Sequence, residues 1–171
     1  GFLEKFNANE FEGRLGPVYG INAGRWYPHV FARDLATISE FIGYLFDPAY
    51  QRTPVEEFLW TQHVFEQSKA MEGAVAATIS PARELDKATA VSDEETSVIH
   101  IAYQHFRMGA GVIWLAKQIG TKTVIRRLNE AIDYVLRSRR DAKTGLIFRA
   151  HTSDWGDVKL EGGPHPTDLL P

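Results

Sequence analysis

Arg149-Ala150-His151-Thr152-Ser153-Asp154-Trp155-Gly156-Asp157 sets two carboxylates around a tryptophan and a glycine, with a guanidinium and an imidazole just upstream. An indole face beside carboxylates suits a sugar ring. The C–H face of the ring stacks on Trp155 while Asp154 and Asp157 meet hydroxyls or a proton in flight. Asp, Ser and Gly also build ordinary polar turns, so the same residues fit a turn. A second stretch, Arg25-Trp26-Tyr27-Pro28-His29-Val30-Phe31-Ala32-Arg33-Asp34, again places a tryptophan near an adjacent charged pair. Arg offers a planar fork of donors and Asp accepts, so Arg33 and Asp34 at a helix start can grip vicinal hydroxyls; a local ion pair or cap is the plainer use of both.

Helices must position these stretches. Residues 1–25 mix aromatics with Gly, Asn and Pro without a sustained period and read as an irregular lead-in. From Val30, Phe31, Leu35, Ile38, Ile42 and Leu45 follow the spacing of one helical face, ending before Asp47-Pro48. Thr53-Pro54-Val55-Glu56 has a capping-box layout and predicts a second helix to about Ala70, carrying Phe58, Leu59 and Phe65. Residues 71–91 show no face and read as a long connection, of the kind that lies over a site. Ser92-Asp93-Glu94-Glu95 predicts a third helix start, with Glu94 and Glu95 as capping residues. Its stripe, Val98, Ile101, His105, Met108, Val112, Leu115 and Ile119, is interrupted by Gly109 and Gly111, where a bend or break is expected, and Gly120 reads as the stop.

A fourth helix is predicted over 122–139, with Ile125, Leu128, Ile132 and Val135 on one side and a basic, solvated end. Asp141 to Gly145 reads as a turn, and Leu146-Ile147-Phe148 as a short extended piece leading into the Trp155 loop. No strand pattern of useful length is evident. The expected class is therefore all-α, built from antiparallel helical hairpins in a single domain over residues 1–171.

Composition narrows the function. A net charge of −3, from 19 basic and 22 acidic residues, leaves no electrostatic footprint for nucleic acid or an anionic membrane. No apolar run approaches the ~20 residues of a membrane span, so a soluble protein is expected. With no cysteine, disulfides and thiolate metal sites are excluded. His100 and His105 are five apart and miss the i, i+4 spacing of a helical ligand pair; no metal and no cofactor is expected. His105, on the apolar stripe, reads as a satisfied core histidine.

Taken together, the motifs resemble a family. Phe31-Ala32-Arg33-Asp34 in WYPHVFARD is similar to the Trp-x-Arg-Asp or Phe-x-Arg-Asp element of the six-hairpin (α/α)6 glycosidases, a group that includes glucoamylases, trehalases, debranching-type glucosidases and inverting disaccharide phosphorylases. SDEETSVIHIAYQHFRMGAGVIWL resembles a barrel helix of that group, and HTSDWGDV its loop that carries the general acid. The resemblance covers residues 26–157. It implies part of an (α/α)6 toroid and a glycoside hydrolase of inverting type, with Asp157 as general acid. It further implies that Arg33 and Asp34 bind hydroxyls at the cleavage subsite, Trp155 is a stacking wall, Asp154 a supporting carboxylate, and Trp26 and His151 lie at the sugar site.

An inverting enzyme also needs a base carboxylate with room for water between the two. None stands out: Glu161 is close to Asp157 in sequence, and Glu94 and Glu95 are expected to cap. Twelve helices of ~11–12 residues need well over twice this length, so the chain is expected to be an N-terminal portion lacking the base. Its expected partners are a carbohydrate substrate and the remaining part of the barrel or another chain. Two alternatives stay open: a sugar epimerase or isomerase of the same toroid using a histidine pair such as His105 and His151, and a non-catalytic saccharide-binding helical domain.

Overall fold

The computed structural model describes residues 8–24, 27–85, 87 and 93–147. The chain opens with an antiparallel hairpin, β1 (Ala8–Glu12) and β2 (Pro17–Ile21), in which Phe11 faces Val18. The four-residue loop between them closes through Gly13 N–H to Gly16 O, and Gly16 takes a φ of 114°, a left-handed conformation that favours glycine. A short strand β3 (Val30–Phe31) runs directly into helix α1 (Ala32–Ile42), and a 3-10 turn leads to the long helix α2 (Ala49–Phe65). The connection to α3 (Asp93–His105) carries β4 (Thr78–Ile79), which pairs antiparallel with β3. A π-turn, a short helix α4 (Gly111–Leu115), a tight hairpin of β5 (Gln118–Ile119) and β6 (Lys122–Thr123), and helix α5 (Val124–Ser138) complete the order.

Two expectations are corrected here. The domain is mixed α/β, with 55% helix and 15% strand among the described residues, the strands forming small antiparallel sheets, and not all-α. It is not part of an (α/α)6 toroid either: four longer helices surround a common core with two-stranded sheets between them, and the likeness to six-hairpin glycosidases fails at this level. The physical reason lies in the lead-in and the connections. Residues 8–21 pair across a glycine-containing loop, and the two-residue ladders are set by tertiary contact, which no run of alternating residues announces.

Helix α2 is the centre of the core. Val55, Phe58 and Leu59 are fully buried, and so are polar positions all round it, among them Gln51, Glu56, Glu57 and Gln62. It begins four residues before the predicted capping box, where Asp47 Oδ1 accepts the Ala49 N–H at 2.8 Å. Thr53 instead donates to Ala49 O and accepts Tyr19 N–H, tying α2 to β2. Helix α1 packs on α3 through Ala32, Leu35, Ala36 and Ser39, a face rotated from the predicted stripe, so Leu45 is exposed. On α5, Leu128 and Val135 are buried while Ile125 and Ile132 turn to the surface. The break near Gly109 and Gly111 is present, and Gly120 turns the β5–β6 hairpin.

The connection after α2 runs through the interior in its middle part, between exposed residues on either side. Ala74, Val75 and Ala76 are fully buried, and their backbone groups are satisfied by side chains: Thr61 Oγ1 accepts Ala76 N–H, Glu95 accepts Val75 N–H, and Gln62 donates to both Gly73 O and Arg127 O. Among the described residues no helix is long and apolar enough to cross a membrane.

Candidate functional site

Helices α1 and α3 begin side by side, and their first turns carry a cluster of charges. Arg33 Nε lies 2.5 Å from Asp93 Oδ2, each side chain about a quarter exposed. Burial opposes the charge on this guanidinium, but the bond and charge of Asp93, with the charges of Glu94 and Asp34, outweigh it and hold its pKa above the ordinary arginine value. Arg33 and Asp34 therefore do stand together at a helix start, as the sequence suggests. The carboxylate that grips Arg33, however, comes from α3.

Behind this pair sits a cluster that the sequence did not single out. Lys87 Nζ donates to Glu95 Oε1 at 2.7 Å and to Glu94 Oε2 at 3.0 Å, with side-chain exposures of only 4%, 0% and 5% for Lys87, Glu95 and Glu94. The ammonium also lies 5.3 Å from the ring centroid of Tyr134 on α5. Glu95 Oε1 further accepts the Val75 N–H, so Glu94 and Glu95 reach inward and bind the buried connection, beyond the capping role expected of them. Lys87 lies in a stretch with no periodicity, and only the inward turn of the two glutamates explains a buried lysine there.

One ammonium faces two buried carboxylates. Burial drives the Glu94 carboxyl up, the Lys87 charge only partly offsets this, and the Glu95 charge adds to it, leaving its pKa at about 7. Lys87 stays charged: burial disfavours its ammonium, but Glu95 and Glu94 outweigh that and raise its pKa. The folded state therefore holds a proton on Glu94 that the unfolded chain releases near pH 4.5. The stability linked to that proton is fully present below pH 4.5 and is lost as pH rises through 7, a difference of roughly 3 kcal/mol. Glu94→Gln, a neutral mimic of the protonated acid, should flatten this slope. In urea unfolding at pH 5 and pH 8 the variant should match the wild type at the lower pH and equal or exceed it at the higher; a variant that weakens more steeply than wild type with rising pH would refute the assignment.

Beside the charges, β3 presents an aromatic row. Phe31 ends the strand, and Tyr27 and His29 lie just before it, with Phe31 packed edge-on to Tyr27 at 6.0 Å and tilted against His29 at 5.9 Å between ring centroids. Asn22 donates to Tyr27 O and Asn9 to Pro28 O, fixing the segment's backbone. His29 and Phe31, with Thr78 of β4, Glu84 and Leu85, line an open depression of about 400 Å³. Phe31 directly precedes α1, two residues before Arg33, and Leu85 is two residues before Lys87, so depression and charge cluster share both chain segments.

No protein-family model, curated protein or solved structure matches this chain. Of the residues nominated from the sequence, Trp26, His151, Asp154, Trp155, Asp157 and Glu161 lie outside the described residues; Arg33 and Asp34 are placed. His105 is buried as expected, but neither ring nitrogen has a hydrogen-bond partner, so it is not the satisfied core histidine the stripe implied. Among the described residues no group of three or more His, Cys, Asp or Glu side chains is arranged to hold a metal ion. The sequence signal that could have revealed the depression is the i, i+2 spacing of Tyr27, His29 and Phe31, the period of a strand.

Proposed function

We propose that this chain is the saccharide-binding part of a glycoside hydrolase, with Asp157 as general acid and Arg33 and Asp34 directed at substrate hydroxyls. The observation that carries the reading is the depression floored by Phe31 and His29. At about 400 Å³ it falls within the size range of small-ligand sites, and it combines aromatic faces with the polar groups of Thr78 and Glu84. An apolar ring face and a few fixed polar groups are what a pyranose needs: stacking for its C–H face, acceptors and donors for its hydroxyls. The adjoining Arg33–Asp93 pair and the buried Lys87 cluster beneath it supply a rigid base, because each charge is held by a partner on another element.

Calorimetric titration of the full chain with monosaccharides and disaccharides, followed by a panel of aryl glycosides for turnover, tests the proposal. Saccharide binding should weaken roughly fivefold in Phe31→Ala, the loss of about 1 kcal/mol expected for one aromatic contact. If no saccharide binds, or if Phe31→Ala binds as tightly as wild type, the depression is not the sugar site. Binding without turnover of any glycoside would leave a saccharide-binding domain in place of a hydrolase.

A further inference from the structure

At the other end of α3 a short helix, α4, is held by one deeply buried side chain, with Leu115 half-buried against the core beside it. Of the five residues of α4, Trp114 alone is buried, at 7% exposure, while Ile113 is 85% exposed. The Trp114 indole N–H donates to Glu56 Oε1 of α2 at 3.0 Å, and its ring meets the His105 ring edge-to-face at 4.7 Å between centroids. Between His105 and Trp114 the chain passes through a π-turn in which Gly109 has a φ of 104°, followed by Gly111 at 69°. A Cβ at either glycine would meet nothing within 4 Å, so backbone conformation and not crowding requires glycine at both. One buried anchor, a half-buried leucine beside it and two left-handed glycines at one end describe a hinged flap.

His105, 3% exposed, forms the wall of that anchor, and neither of its ring nitrogens has a hydrogen-bond partner among the described residues. The charges bearing on it come from α2: Arg52 opposes protonation of the ring and Glu56 favours it. Glu56 is itself engaged by Trp114, by Lys117 just past α4 at 2.8 Å and by Arg52 at 3.7 Å. On the side of the π-turn, Arg107 is exposed and lies over the Tyr103 ring. An imidazolium at this position would be a buried cation with no hydrogen-bond acceptor of its own, facing Arg52 as well as a Glu56 carboxylate already engaged by three other donors.

We propose that α4 is a pH-gated flap, closed while His105 is neutral and released from α2 when the ring is protonated. Burial first, and the Arg52 charge second, hold the His105 pKa below its ordinary value, so closure is undisturbed at neutral pH. The cost of keeping the ring neutral begins as pH falls below the ordinary histidine pKa of 6.5, grows down to the folded-state pKa and is constant below it. Opening lifts Trp114 out and gives the ring to water, where it takes its proton freely.

The test is hydrogen exchange at the Trp114 indole N–H in the full chain, followed by NMR from pH 7.5 to pH 5 and referred to the intrinsic rate at each pH. Trp114→Phe assigns the resonance. Protection should fall progressively below pH 6.5, by one decade for each pH unit down to the folded-state pKa and by no more than about thirtyfold at pH 5, while the far-ultraviolet circular dichroism is unchanged. In His105→Phe, which keeps an aromatic wall and cannot titrate, protection should not vary with pH. Constant protection in the wild type, an equal fall in His105→Phe, or loss of helical signal together with protection would each overturn the proposal. Should His105→Phe not fold, Arg52→Gln provides the second arm: removing the facing cation brings the closed-state His105 pKa nearer its ordinary value, so the fall in protection between pH 7.5 and pH 5 should be smaller than in the wild type, and an equal or larger fall would count against the flap.

Discussion

Lys87→Met should lower the free energy of unfolding at pH 8 by about 3–5 kcal/mol, the usual cost of deleting one partner from a buried charge pair. The side chain is nearly isosteric along its stem, so packing against Tyr134 is largely kept; what is lost is the ammonium that faces Glu95 at 2.7 Å and Glu94 at 3.0 Å. Glu94 Oε1 and Glu95 Oε2 have no hydrogen-bond partner among the described residues, so no second donor stands ready to take over. Against a total stability of ~5–15 kcal/mol the variant should be marginal at neutral pH. Protonation supplies the check on mechanism. Without Lys87 both carboxyls prefer the acid form, so the deficit should shrink as pH is lowered to 5, and adding Glu94→Gln should recover part of it at pH 8. Equal urea midpoints for wild type and Lys87→Met would show that the lysine does not bridge the two helix-start carboxylates. The Arg33–Asp93 pair is one residue from Glu94, so the same loss should also loosen the candidate sugar site.

The parts of the fold legible in the sequence are those where one helical face is apolar at a regular spacing. Val98 and Ile101 on α3 and Leu128 and Val135 on α5 are buried where the stripe put them. Periodicity cannot say how far a stripe extends around the helix, so it did not separate Leu128 from Ile125 and Ile132, which face out. Local capping chemistry misplaced the start of α2, because Thr53 serves β2 and Asp47 takes the first turn. The sheets were invisible for a stronger reason: β3 and β4 hold two residues each, and their pairing joins residues 30–31 to 78–79 through contact alone. The buried charges were hidden in the same way. Nothing local marks Lys87 as interior; its burial follows from Glu94 and Glu95 pointing inward on a helix whose other face carries Arg33's partner. For the site, Arg33 and Asp34 were legible as a motif, whereas the carboxylate holding Arg33 was not.

Asp157→Asn should reduce glycoside turnover by a factor of ~10²–10⁴ with little change in stability, the loss expected when a general acid is replaced by a group that cannot release a proton. This role belongs to the proposed glycoside hydrolase reading, and the sequence neighbourhood suits it. Trp155, two residues before, offers a ring face, and Asp154 a second carboxylate for substrate hydroxyls. Leaving-group dependence separates a proton donor from a binding residue. An aryl glycoside with a good leaving group needs little protonation, so Asp157→Asn should retain most activity on it and lose most on an alkyl glycoside or disaccharide. The alkaline fall of the wild-type pH profile, which reports deprotonation of the acid, should disappear in the variant. A uniform rise in KM across all substrates with kcat unchanged would make Asp157 a binding residue, and an unfolded variant would make the loop a structural element. Phe31→Ala supplies the contrast on the described side of the site: its loss should fall on binding and be the same for good and poor leaving groups, because stacking touches the ring and not the bond being broken.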